Sequence, residues 1–163
     1  LEMLRLALQN DPALEISTIE IQRETLSYTI DTVNSVKLQF PECELSLILG
    51  RDNLIDLDSW KYSRKIMGCC HVLVGSRPGV EESLVEEVVL GLFGGDSPYT
   101  PGDSENGMLE FRHRTTGHRL VIYQITPRDI SSSTIRDRIA GGKPVGNLLP
   151  PEVEIYIMNN HLY

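Results

Sequence analysis

Leu45-Ser46-Leu47-Ile48-Leu49-Gly50-Arg51-Asp52-Asn53-Leu54-Ile55-Asp56-Leu57-Asp58-Ser59-Trp60 is the stretch on which the reading of the fold turns. An apolar run of strand length stops at a glycine and gives way at once to an arginine and several carboxylates, the pattern of a buried strand ending in a polar loop. In open parallel α/β sheets, ligands sit just beyond the carboxyl ends of the strands. Gly50, Asp52 and Trp60 are therefore candidate site residues. The same residues also fit an ordinary strand-to-helix loop, with Asp52 capping a helix and Trp60 packed in the core.

Upstream, Ser27-Tyr28-Thr29-Ile30-Asp31-Thr32 places hydroxyls where a helix would start, and Ile30, Val33, Val36, Lys37 and Phe40 continue at helical spacing. Thr29 is expected at or near that N-terminus. Free N–H groups and partial positive charge there would suit a carboxylate or phosphate, while a plain cap is the simpler alternative. Further back, Leu1 to Gln9 reads as a helix with a buried end, halted by Asp11-Pro12, and Ala13 to Ile21 as extended chain.

Downstream, Trp60 to Met67 is expected as a short helix and Cys70 to Gly75 as a second buried strand, followed by Ser76-Arg77-Pro78-Gly79. Arg77 brings a fixed cation that can fork onto a phosphate. His71, ahead of an apolar strand, reads as a structural histidine. Val85 to Phe93 reads as a helix, and Gly94 to Gly107, rich in Gly, Pro, Ser and Asp, as a loop. Met108 to Arg114 and His118 to Ile125 read as strands around Thr115-Thr116-Gly117. Alternating short strands and helices indicate an α/β protein with a mostly parallel sheet flanked by helices.

Ile130-Ser131-Ser132-Ser133-Thr134-Ile135-Arg136-Asp137-Arg138-Ile139 sets four hydroxyls at a helix start, with Ile135 and Ile139 toward a core. Hydroxyls, free N–H groups and a guanidinium are what a polyphosphate requires; a serine-capped surface helix is the alternative. Gly141-Gly142 closes that helix and Pro150-Pro151 opens a last one over Val153 to His161.

With 163 residues and a net charge of -8 the chain has the size of one domain. Its pI near 5.0 argues against a broad nucleic-acid footprint but leaves room for a local anion pocket. Cys43, Cys69 and Cys70 form neither a metal-ligand spacing nor an even disulfide set, which suits a reducing cytoplasm, and they read as small core residues. No apolar run approaches the ~18 residues of a membrane span.

In order and spacing, these runs resemble the bacterial nicotinate-nucleotide adenylyltransferase family of the HxGH nucleotidyltransferase superfamily. The resemblance rests on Glu20 and Arg23 before Ser27 to Thr32, on Leu49-Gly50-Arg51-Asp52-Asn53-Leu54 with Trp60, and on Arg77-Pro78-Gly79. Ile130 to Arg136 and the terminal Val153, Tyr156-Ile157 and Leu162-Tyr163 complete it. It implies a Rossmann-like nucleotidyltransferase fold that joins ATP, with Mg²⁺, to nicotinate mononucleotide, giving deamido-NAD and pyrophosphate. By the same resemblance Thr29 and Trp60 flank the nicotinate ring, and Asp52, after Gly50, meets a ribose. Ser131, Ser133 and Arg136 hold the ATP phosphates, assisted by Arg77. Oligomeric state stays open, a homo-oligomer included.

Three departures qualify the match. Ser133 replaces a threonine of the family pattern, Lys61 follows Trp60 where an aromatic residue is common, and the GxFDPxHxGH segment is not among residues 1 to 163. The catalytic histidines are thus expected outside the given chain, with roughly 55 further N-terminal residues preceding a single domain that otherwise shows an unpaired strand edge. Thr115-Thr116-Gly117-His118 mimics TxGH, but a strand follows it, so it reads as a hairpin turn. Two alternatives remain: a sibling adenylyltransferase for pantetheine phosphate or nicotinamide mononucleotide, and a nucleotide-binding module without catalysis.

Overall fold

The computed structural model describes residues 1–76, 82–104, 107–126, 128 and 130–163, the side chains of residues 82 and 83 excepted. In chain order its elements are α1 (Glu2–Leu8), α2 (Thr29–Gln39), β1 (Ser46–Gly50), α3 (Arg51–Ile55), α4 (Ser63–Cys69), β2 (His71–Ser76), α5 (Glu82–Gly91), β3 (Tyr99–Pro101), β4 (Leu109–His113), β5 (Arg119–Gln124), α6 (Ser132–Ala140) and α7 (Pro151–Asn159). They fall into two compact units: a sheet unit, Glu20–Pro127, and a terminal unit made of Leu1–Ile19 with Arg128–Tyr163.

The sheet unit carries five strands in the order β1-β2-β5-β4-β3. β1, β2 and β5 are parallel, as their apolar runs lead one to expect, while β4 and β3 add two antiparallel pairings. The sheet is therefore mixed. Register aligns Leu49 with Val74, and Val74 with Ile122, all buried and on one face. Full burial of side chains of this size contributes about 1.5 to 3 kcal/mol each. Val85 and Val89 of α5 cover this face, and Tyr99 and Phe111 extend the same core along β3 and β4. A second cluster joins Ile30 and Val33 of α2 to Ile66 of α4 and to Cys70. β1 stands at the edge of the sheet, with Ile48 69% exposed, and among the described residues no strand pairs with its outer side.

The register also sets the level of the strand ends. Gly50 pairs with Gly75, and Gly75 with Tyr123, so the carboxyl ends of the three parallel strands form one rim. The β4–β5 turn at Thr115-Thr116-Gly117 is the expected hairpin: Gly117 takes φ +75° and β5 continues from Arg119.

Several expectations are revised. The stretch expected as a helix from Trp60 begins helical structure only at Ser63, because Tyr62 adopts a left-handed backbone at φ 56° and ψ 34°, which a helix cannot pass through. The expected loop over residues 94–107 contains β3, whose Tyr99 is fully buried. Cys70 is buried, but Cys43 is exposed, against its reading as a core residue.

In the terminal unit, α1 packs on α7. It buries no residue completely, and Leu4 stays 56% exposed, so the expected buried end is not seen. Its apolar positions run round too much of the helix for a single neighbour to cover. Val145, Val153, Ile157 and Ile135 are the buried apolar residues of this unit.

Candidate functional site

The sheet unit brings two of the sequence-derived site residues to one place. Thr29 and Trp60 line a pocket of about 330 Å³ between α2 and β1, together with Glu20, Thr32, Val33 and Leu47. That volume is at the small end of ligand sites, sized for a ring rather than a whole nucleotide. Trp60 leaves the turn over Leu57–Ser59 in an extended conformation and is half-buried, touching both apolar clusters. The core reading and the site reading of this tryptophan therefore both hold: its packing fixes the indole that walls the pocket.

Thr29 opens α2 as expected, but no hydroxyl caps the helix. Tyr28 occupies the cap position without a side-chain hydrogen bond, and the N–H groups of Asp31 and Thr32 reach back to its carbonyl. The hydroxyls that could cap are engaged elsewhere. Arg23 donates to Ser27 Oγ, to Thr32 Oγ1 at 3.0 Å and to Ser35 Oγ at 3.1 Å, while Thr32 Oγ1 donates to Glu20 Oε1 at 2.6 Å. Arg23 thus ties the incoming chain to the first two turns of α2, and the helix start keeps N–H groups and positive dipole free of a side-chain cap. Glu20 and Arg23 were legible only as parts of a family pattern; the clamp they form joins residues up to twelve positions apart.

Gly50 and Asp52 do not line this pocket. Gly50 caps α3 at the end of β1, and a Cβ placed there would meet nothing closer than Asn53 Nδ2 at 4.0 Å, leaving the approach to the strand end open. Asp52 lies in the first turn of α3, exposed and without a side-chain bond to the helix, so it is not the cap that the simpler reading assigned to it. Among the described residues its carboxylate has no bonding partner, and it follows the strand end directly, where an acceptor for hydroxyl groups is useful. Arg77 lies outside the described residues.

Ser131, Ser133 and Arg136 belong to the terminal unit. Ser131 is the N-cap of α6: its Oγ accepts from the Thr134 N–H at 3.1 Å and lies 3.0 Å from Ser133 Oγ and 2.8 Å from Thr134 Oγ1. The cap is the simpler of the two roles considered for it, and it concentrates hydroxyl groups at the helix start. Arg136 is exposed, with its guanidinium 5.8 Å from the Tyr163 ring centroid. It forms no ion pair among the described residues. Arg136 and Ser132 also line a shallow apolar pocket with Leu149, Pro150 and Tyr163.

The opposite end of the sheet, at the amino ends of β2 and β5, is built from histidines. His71 Nδ1 accepts the Arg119 N–H at 2.9 Å, and its ring meets that of His118 edge to face at 5.2 Å. His71 is the satisfied structural residue its position suggested. Burial first, then the positive field of His71 and Lys37, holds His118 below the usual histidine range. Burial pushes the Cys70 thiol up to about 11, and the neighbouring Cys69 adds to the shift, so Cys70 is an inert core residue. Among the described residues no group of three or more His, Cys, Asp or Glu side chains could hold a metal ion, and no helix is long and apolar enough to cross a membrane.

Residues 1–138 match the family model described as cytidylyltransferase-like. A probable nicotinate-nucleotide adenylyltransferase of Pelobacter propionicus is 35% identical over 162 residues, 99% of this chain and 72% of the relative. Another, from Geobacter sp., is 34% identical over 163 residues, all of this chain and 73% of the relative. The chain belongs to the nicotinate-nucleotide adenylyltransferase family. A solved Plasmodium falciparum nicotinic acid mononucleotide adenylyltransferase, complexed with NaAD, superposes with a TM-score of 0.64 at 16% identity, covering 99% of this chain and 71% of that one. The same enzyme complexed with APC gives the same TM-score, 0.64, with 73% of its chain covered. At this identity the likeness shows a shared fold, the Rossmann-like nucleotidyltransferase fold of that adenylyltransferase. Membership makes this a nucleotidyltransferase family enzyme, one whose relatives are named for a step of NAD biosynthesis.

Proposed function

We propose that the protein transfers the adenylyl group of ATP to nicotinate mononucleotide, giving deamido-NAD and pyrophosphate. The observation that carries this reading is the combination of full-chain similarity to enzymes named for that reaction with a ring-sized pocket walled by Thr29 and Trp60. The 5'-phosphate oxygen of the mononucleotide attacks the α-phosphorus of ATP, the bond from that phosphorus to the β-phosphate bridge breaks, and pyrophosphate leaves. No covalent enzyme intermediate is required, so positioning and charge stabilisation supply the catalysis.

Each candidate residue has a part in that positioning. The indole of Trp60 offers a stacking face to the nicotinate ring, and the uncapped start of α2 at Thr29 offers N–H donors and dipole to its carboxylate. Asp52, beside Gly50 on the strand rim, accepts hydrogen bonds from a ribose. Ser131 and Ser133 at the start of α6, with Arg136 one turn on, hold the ATP phosphates, and Arg77 assists. Mg²⁺ enters with ATP as part of the substrate. A hard cation that keeps most of its waters and binds phosphate oxygens does not need a protein cage. The free thiols fit a cytoplasmic setting.

The test is a pyrophosphate-release assay on the protein at its natural length, preceded by calorimetry with ATP. Turnover with nicotinate mononucleotide supports the assignment. Binding of ATP without turnover of any mononucleotide would leave a nucleotide-binding module instead.

A further inference from the structure

We propose that Lys61 is a specificity-determining residue that favours the acid over the amide mononucleotide, its ammonium pairing with the carboxylate of the pyridine ring. This rests on the seating of that ring between Thr29 and Trp60. Lys61 Nζ lies 3.8 Å from the centroid of the Tyr28 ring and 5.7 Å from that of Tyr62. Tyr28 immediately precedes Thr29, and Lys61 immediately follows Trp60, so the contact of the cation with the Tyr28 ring joins the chain neighbours of the two residues that bracket the pocket.

Three observations give that ammonium a ligand's task rather than a structural one. First, no carboxylate pairs with Lys61 among the described residues. An ammonium resting on an aromatic face is attracted but not neutralised, and its three N–H donors remain available. Second, the turn that aims it is strained: Tyr62, the next residue, is held at φ 56°, and strain of this kind persists where the surroundings over-determine a site. Third, among the described residues the only charged side chain lining the pocket is Glu20, which already accepts from Thr32 and has the wrong sign for a carboxylate. An acidic ring substituent is therefore repelled from the Glu20 side and drawn toward the uncapped start of α2, where the Tyr28 ring carries the Lys61 ammonium on its face.

Nicotinate and nicotinamide mononucleotides have nearly the same shape and differ by one charge. Shape cannot separate them well, so discrimination has to come from a charge that one of them satisfies and the other leaves unpaired. Lys61 is exposed, so the pair is a solvated one. A pair of that kind is worth up to a factor of about five in binding.

The experiment is steady-state kinetics of the natural-length protein with each mononucleotide at saturating ATP, for wild type, Lys61→Met and Lys61→Arg. Lys61→Met should lower the acid-to-amide ratio of kcat/KM by up to about fivefold. The loss should sit in KM for the acid, with KM for ATP unchanged, and Lys61→Arg should keep the ratio. Added salt should narrow the wild-type ratio and leave that of Lys61→Met flat. Wild-type turnover with an unchanged ratio in Lys61→Met overturns the role of Lys61 while leaving the seating of the ring intact. Absence of wild-type turnover with either mononucleotide overturns the seating and this inference together. Should Lys61→Met prove poorly folded by circular dichroism, Lys61→Gln carries the same comparison.

Discussion

Replacing Trp60 by alanine separates the two roles that its position combines. The indole packs against both apolar clusters of the sheet unit and also walls the pocket with Thr29. A fully buried tryptophan truncated to alanine costs about 3 to 5 kcal/mol. Trp60 is half-buried, so a loss near half of that, roughly 2 kcal/mol, is expected. For a chain of this size that lowers Tm by about 4 to 8 °C. The stacking face contributes a further term to ligand affinity, about 0.5 to 1.5 kcal/mol, or roughly 2- to 13-fold in KM for nicotinate mononucleotide. Trp60→Phe keeps an aromatic face and most of the apolar volume, so it should recover the greater part of both losses. Urea denaturation reports the first quantity and initial rates at saturating ATP report the second, below the melting range of the variant. A Trp60→Ala protein that loses stability but binds the mononucleotide as wild type does would refute the placement of the ring against Trp60 and leave the residue a core side chain.

Other outcomes follow from the same geometry. Arg136→Ala removes from α6 a guanidinium that has no ion pair among the described residues and should raise KM for ATP roughly 10- to 150-fold, the range of one charge-assisted hydrogen bond of about 1.5 to 3 kcal/mol; unchanged ATP kinetics removes Arg136 from the site. Tyr99→Phe deletes a buried hydroxyl that has no hydrogen-bond partner among the described residues and keeps the edge-to-face contact with His113 at 5.6 Å. It should raise stability by about 1 kcal/mol, and a lower urea midpoint would show that the hydroxyl has a partner. Acid should weaken the fold through its histidines. His118 and His113 are held below their ordinary 6.5, chiefly by burial, so the unfolded chain takes up protons before the native one. Stability is then complete above about pH 6.5 and is lost as the pH falls through it. A urea midpoint at about pH 5.5 that equals the one at about pH 7.5 would contradict this sign.

What could be read from the residues was local. The apolar run to Leu49 with its glycine stop, the helix start at Thr29, the serine-rich start of α6 and the Gly117 turn each carry their signal within a few positions, and each stands where that signal put it. β3 was not legible, because three residues that include Pro101 become a strand only through their pairing with β4. The stop between Trp60 and Ser63 was hidden for a different reason. A tyrosine at positive φ has no sequence signature, so the helical spacing from Trp60 could not reveal that the backbone turns left-handed at Tyr62. That turn also places Lys61 over Tyr28, a contact between residues 33 positions apart in the chain. The same holds for Arg23: its partners Thr32 and Ser35 are ordinary helix residues until the loop folds back upon them. The candidate nucleotide residues were legible as types and spacing; their freedom from competing bonds, which matters at Asp52 and Arg136, is visible only in three dimensions.

The reaction is tested by its product. Mass-spectrometric detection of deamido-NAD formed from nicotinate mononucleotide and Mg·ATP by the protein at its natural length, in step with pyrophosphate release, is the result predicted. Steady pyrophosphate release with pantetheine phosphate or nicotinamide mononucleotide, and none with nicotinate mononucleotide, would contradict it.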